Sequence, residues 1–189
     1  MTTEPAPTAQ VVSPGEASAT VNGKKIAITI SRENNQLVFT GAGITGTLRG
    51  TKANGDAIAL DTDGNLRIET GDKVSLVSEG YEADSIVDVW LFSTPKKIGT
   101  ITADALGKSS GTFTVENGLE AGNHRLVLKG VNKDGDEVVM AIGIVAGAID
   151  TVSTVSRVLI AVPIALAIVA GLFIPNQLRR RRRKRLALS

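Results

Sequence analysis

Residues 74–138 read VSLVSEGYEADSIVDVWLFSTPKKIGTITADALGKSSGTFTVENGLEAGNHRLVLKGVNKDGDEV, and their periodicity decides the fold. Val74 and Leu76 open an alternation. Ile86, Val87, Val89, Trp90, Leu91 and Phe92 then crowd seven positions with side chains that favour strands. Apolar residues return at Ile98 and Ile101, at Phe113 and Val115, at Leu126 and Leu128 in phase with His124, and from Val139 to Val145. Turn residues separate these runs at Gly71-Asp72, Thr94-Pro95, Gly107, Asn117-Gly118, Ala121-Gly122 and Asp134-Gly135. Successive strand side chains point to opposite faces, so a period-two pattern broken by turns predicts strands rather than helices.

Working outward, the same pattern continues upstream. Ile26, Ile28 and Ile30 predict one strand, with Leu37 and Phe39 returning across Glu33-Asn34-Asn35-Gln36. Ile44 and Leu48 predict a third strand, Ile58 and Leu60 a fourth, Leu66 and Ile68 a fifth. Asn22-Gly23, Asn54-Gly55 and Asp63-Gly64 supply the positive φ of tight hairpins. The fold class expected is all-β, in two parts. Residues 17–70 form a small β unit, marginal alone because so short a chain buries little core. Residues 71–149 form an immunoglobulin-like sandwich of about seven short strands with turns about every 8–12 residues. The Cys…Trp…Cys signature of antibody domains is absent, since the chain has no cysteine.

The run from Val74 to Val138 resembles a bacterial Ig-like domain common in actinobacterial cell-surface proteins. The residues that carry the likeness are Gly80-Tyr81, Val87-Asp88-Val89-Trp90-Leu91-Phe92-Ser93 followed by Pro95, Ile98-Gly99-Thr100, and Gly122-Asn123-His124-Arg125-Leu126. In that family the domain often ends the protein, ahead of an apolar span and an arginine cluster. The resemblance implies a stalk or presentation module and brings no catalytic residue or cofactor with it.

Both of those later features are present here. Val158–Ile174 reads VLIAVPIALAIVAGLFI, 17 residues without a charge or polar side chain. At about 1.5 Å per residue this spans roughly 26 Å as a helix, at the short end for a bilayer. Flanking residues extend the expected transmembrane helix to 155–178, which makes the lipid bilayer the first expected partner. Arg179, Arg180, Arg181, Arg182, Arg183, Lys184 and Arg185 follow at once. Such a block is a stop-transfer signal that stays cytoplasmic, so residues 179–189 are the expected cytoplasmic tail and the N-terminal part faces outward. The expected localisation is a single-pass plasma-membrane protein. Without the seven terminal cations, 14 Lys and Arg stand against 19 Asp and Glu, so residues 1–178 carry −5 and offer no basic face to nucleic acid. Residues 1–16, MTTEPAPTAQVVSPGE, read as a flexible Pro/Thr/Ala-rich linker and lack the n- and h-regions of a signal peptide. An outward body must be exported, so the sequence is expected to be the C-terminal piece of a longer protein. A miscalled gene start and an inverted topology are the alternatives.

Few residues stand out as a site. Trp90 and Phe92 share a strand face with Asp88, opposite Val87, Val89 and Leu91. Trp90 is expected in the sandwich core; the competing reading makes Trp90 and Phe92 an exposed platform for a sugar ring. His124 is the only histidine and should lean into the core, where it lacks the partners of a triad or zinc site. Asp61-Thr62-Asp63-Gly64-Asn65 and Asn132-Lys133-Asp134-Gly135-Asp136-Glu137 echo calcium loops but miss the EF-hand spacing, and hairpin turns explain them. Gly41-Ala42-Gly43-Ile44-Thr45-Gly46 spells G-x-G-x-x-G between strands, not ahead of a helix, so it fails as a dinucleotide site. No catalytic, cofactor or metal constellation assembles. The expected function is therefore a membrane-anchored structural stalk or presentation module. The alternative is an adhesion module that binds a cell-wall glycan or surface protein.

Overall fold

The computed structural model describes residues 5–147, which form twelve strands in two sheets. In chain order these are β1 (Ala17–Val21), β2 (Lys24–Ala27), β3 (Thr29–Glu33), β4 (Gln36–Gly41), β5 (Ile44–Thr51), β6 (Arg67–Ile68), β7 (Lys73–Glu79), β8 (Ile86–Phe92), β9 (Lys96–Thr102), β10 (Lys108–Thr114), β11 (Gly122–Val131) and β12 (Glu137–Ala146). One sheet runs β2-β1-β12-β11-β8-β9, with the short β6 also on β12; the other runs β10-β7-β5-β4-β3. Every pairing is antiparallel except the two-residue contact of β6 with β12. The expected transmembrane helix at 155–178 and the tail at 179–189 lie outside the described residues. Among the described residues no helix is long and apolar enough to cross a membrane.

The two sheets face each other across one continuous core. Leu37, Phe39, Ile44 and Leu48 from the second sheet pack with Val87, Val89, Leu126, Leu128, Met140 and Ile142 from the first. This corrects the division at residues 17–70 and 71–149. The described residues belong to a single compact unit, Met1–Ala148. β5 pairs with β7, from Thr45 opposite Glu79 to Thr51 opposite Lys73, and β1 pairs with β12. The upstream strands thus enter both sheets. The physical reason is burial: neither half alone covers its apolar faces, and interleaving covers both.

Two upstream strands also differ from expectation. Ile26, Ile28 and Ile30 do not form one strand. The chain breaks at Ile28, with β2 paired to β1 in one sheet and β3 paired to β4 in the other. This corner joins the two sheets along one side. Ile58 and Leu60 form no strand; a lone bridge ties Thr51 to Ala57, and Ile58 is buried beneath it. Leu91, on the same face of its strand as Val87 and Val89, is only half-buried against the core.

Of the three expected tight hairpins Asn22-Gly23 forms, whereas at Asn54-Gly55 and Asp63-Gly64 only the glycine has positive φ. Asn22 and Gly23 have φ of 49° and 79°, Asn34 and Asn35 49° and 62°, Ala42 and Gly43 55° and 78°. Positive φ at both central residues matches the strand twist in two-residue hairpins. The glycine-rich run at Gly41–Gly46 is therefore a hairpin turn. Asp61, Asp104 and Asn132 each begin a longer turn and bond its backbone with one side-chain oxygen. Asp61 Oδ1 accepts from the amides of Asp63 and Asn65, at 3.0 and 2.8 Å; Asn132 Oδ1 accepts from Asp134 and Asp136. These bonds lower the Asp61 pKa against the burial that raises it.

Tyr81, the only tyrosine, is fully buried against Gly130. Burial pushes its hydroxyl pKa up to about 12, and the nearby Ser78 side chain offsets little of this. The Ser78 hydroxyl already pairs with Ser109 at 2.9 Å, and the Tyr81 hydroxyl has no well-formed hydrogen bond of its own. An unfolded tyrosine ionises near pH 10, so between about pH 10 and 12 the unfolded chain holds fewer protons than the folded one. Stability should be unaffected below pH 10 and fall by on the order of 2–3 kcal/mol across that window. Melts from pH 8 to 12 should show this extra loss, and Tyr81→Phe should lack it. Equal pH profiles for the two proteins would contradict the shift.

Candidate functional site: the Trp90 face

Because β8 alternates, Val87 and Val89 enter the core between the sheets, while Trp90 and Phe92 lie on the outer face of the first sheet. Trp90 thus occupies neither expected place. It is outside the sandwich core, yet only 4% exposed. Trp90 and Phe92 form a second apolar cluster with Val127, Val139 and Ala141, and Ala9 and Val12 pack against that cluster. The segment read as a flexible linker is docked as a strap over residues 9–16, covering the aromatic face.

The strap is positioned by a reversal at Ser13-Pro14-Gly15-Glu16. The Glu16 amide donates to the Ser13 carbonyl at 3.1 Å, and Gly15 has φ of 73°. Pro at the second position and a positive-φ Gly at the third give a type II turn. Gly15 and Glu16 then pair with Gly143 of β12 through bonds of 3.0 and 2.8 Å. Arg32 holds the turn from outside, its guanidinium donating to the carbonyls of Gly15 and Gly64. Arg125 Nη1 donates to the Gln10 carbonyl at 2.9 Å, and its guanidinium stands 5.5 Å from the Phe92 ring centre. Lys97 Nζ lies 2.8 Å from Asp88 and 6.0 Å from the centre of the Trp90 ring. The indole nitrogen is buried without a hydrogen-bond partner.

No family model matches the chain, and no curated protein does. Among solved structures, the chain is similar to the soluble domain of PmoD from Methylocystis sp. ATCC 49242. The identity is 6%, the TM-score 0.39, and the match covers 58% of this chain and 96% of that one. At that similarity nothing passes from one protein to the other.

His124 sits inside, as its phase with Leu126 predicts. It is 3% exposed, and its Nε2 donates to the Glu120 carbonyl at 2.8 Å. Its Nδ1 is buried without a partner. Among the described residues no group of three potential metal ligands comes together. Asp61, the best placed carboxylate of the Asp61–Asn65 loop, is held by backbone amides and by Arg67 at 3.4 Å. Sequence reasoning missed the strap. Its signal is the Pro14-Gly15 turn placed after Ala9 and Val12, the two apolar residues that pack on the Trp90 cluster, while Val11 between them stays exposed.

Gly143 tests the strap. A Cβ there would stand 1.9 Å from the Ser13 carbonyl oxygen. Gly143→Val should therefore displace the turn, cost about 1–3 kcal/mol as overpacking does, and uncover Trp90. Since Trp90 is the only tryptophan, its emission should shift to longer wavelength and become more quenchable by acrylamide. Unchanged quenching would show that something else shields the ring.

Proposed function

We propose that the chain is a membrane-anchored bacterial surface protein whose sandwich, read as Ig-like, is an extracytoplasmic presentation module. The observation that carries this reading is the apolar run Val158–Ile174 followed at once by Arg179 to Arg185. The course of the chain supports presentation over a serial stalk. β1 is antiparallel to β12, with Ala17 opposite Ile142, so the first strand begins at the end of the sandwich where the last one finishes at Ala146. A rod-like spacer takes the chain in at one end and out at the other. A lobe whose first strand begins where its last one ends instead displays the far end, which carries the Asn22-Gly23 and Asn132–Asp136 turns. The binding alternative, a glycan or protein held on Trp90 and Phe92, is less favoured because the strap closes that face.

Orientation is the test. In intact cells carrying an exported form, external protease should remove residues 1–150 and spare a tag placed after Ser189. A protected N-terminal part with an accessible tag would reverse the topology and end the reading.

A further inference from the structure

The inside of the sandwich carries an unfilled space of its own. At the end where β12 finishes, a pocket of about 270 Å³ opens between the two sheets. Ser93, Thr94, Asn117 and Glu120 are among its lining residues, and its apolar walls are Leu91, Ile98, Phe113, Val115, Leu126 and Ile144. Four of these are buried and two half-buried. Its mouth lies between the β8–β9 turn and the loop after β10, where Lys96 and Glu116 form an ion pair across the opening.

Topology explains why space remains there. β9 ends one sheet and β10 ends the other, so these two edges are not joined by ladder hydrogen bonds. Farther along, glycines close the seam. A Cβ on Gly99 would stand 2.3 Å from the Phe113 ring, and one on Gly111 2.8 Å from Ile101 Cδ1. Side-chain tips occupy the room those glycines leave. Toward Lys96 and Val115 nothing plays that part. The loop is nevertheless built, because Val115 exchanges backbone bonds of 2.8 and 2.9 Å with Asp72 and Gly71. Both partners of the ion pair are well exposed, at 59% and 67%, so water screens it and it opens at little cost.

Water is a poor occupant of such walls, since it needs two to four polar partners, and an empty apolar space forfeits dispersion contacts. A dry cavity of about 150 Å³ holds a benzene, so the room here suits something larger, and a slot between two sheets suits a chain better than a fused ring. We propose that this pocket binds the hydrocarbon chain of a single-chain amphiphile, which enters past the Lys96–Glu116 pair and leaves its polar head at that rim. A free fatty acid and a lysophospholipid from a bilayer present the same chain. The site rests on the pocket alone and stands whether or not the chain is membrane-anchored.

The test uses residues 1–148, which hold the twelve described strands and the core between them. Saturated fatty acids of six to fourteen carbons, and lysophosphatidylcholines of matching chain length, are titrated below their micelle concentrations by calorimetry. Expected is one saturable site whose affinity rises about fourfold per methylene until the pocket is full and then levels off. Saturation by the fatty acids identifies a free acid as sufficient; saturation by the lysolipids alone identifies a bilayer source. Val115→Phe, which fills the pocket, should weaken binding at least tenfold while the unliganded protein melts no lower. Should it fail to fold, Ile98→Phe is read in its place. Lys96→Ala should speed both association and release with little change in affinity. Absence of saturable binding, affinity that climbs with chain length without levelling, or undiminished binding by the filled variant would overturn the proposal.

Discussion

Expressed alone, residues 71–149 should not fold. The truncation removes β1 and β6 from one edge of β12 and β5 from the edge of β7. The second sheet shrinks to β7 and β10, and a lone pair of strands is marginal in water. The core loses Leu37, Phe39, Ile44, Leu48, Leu66 and Ile68, each no more than 1% exposed. At about 1.5–3 kcal/mol for each buried side chain, the loss is comparable to the whole stability of a domain, about 5–15 kcal/mol. Circular dichroism of 71–149 should show no cooperative melt, whereas 1–148 should melt in one transition. A cooperative transition in the fragment would mean that the upstream strands merely decorate a complete domain.

Phe39→Ala should destabilise the whole unit by about 3–5 kcal/mol. The ring is fully buried and lies over Gly46, where a Cβ would stand 2.5 Å from its tip. With no side chain at Gly46, little can collapse into the space, so the loss should sit high in that range. Val77→Ala, on the outer face of the same sheet and 52% exposed, should stay within about 0.5 kcal/mol. The readout also reports cooperativity. Phe39 is in the second sheet and Trp90 on the far face of the first. In a single two-state unit, Trp90 emission and far-ultraviolet dichroism should lose the same structure at the same denaturant concentration. Separate transitions would restore two independent halves.

The interleaving behind both predictions is the part of the fold that local patterns leave open. Asn22-Gly23 and Gly64 announce turns because Asn and Gly reach positive φ at little cost. The alternation in Ile86–Phe92 announces a strand because side-chain direction is a property of extended backbone. His124 is placed inside by its phase with Leu126 and Leu128. Each of these is decided within a few residues. For the candidate site, alternation separates Trp90 and Phe92 from Val87 and Val89. It does not say which set meets the other sheet, since both sets are apolar.

The sequence by itself therefore determined the all-β class, most of the strands and their turns, the two faces of each strand, and the pattern of a span with a basic flank. Only the tertiary structure decided that β5 joins β7, that β1 joins β12, that the chain changes sheets at Ile28, and that residues 9–16 cover Trp90. The two strand pairings join residues 22 to 34 positions apart, from Thr51 opposite Lys73 to Thr45 opposite Glu79, and up to 125 apart, at Ala17 opposite Ile142. Backbone amides and carbonyls are the same at every position, so a strand edge accepts many partners equally well. The choice falls to whichever pairing buries both apolar faces at once, a quantity that belongs to the assembled sheets and to no single stretch of chain.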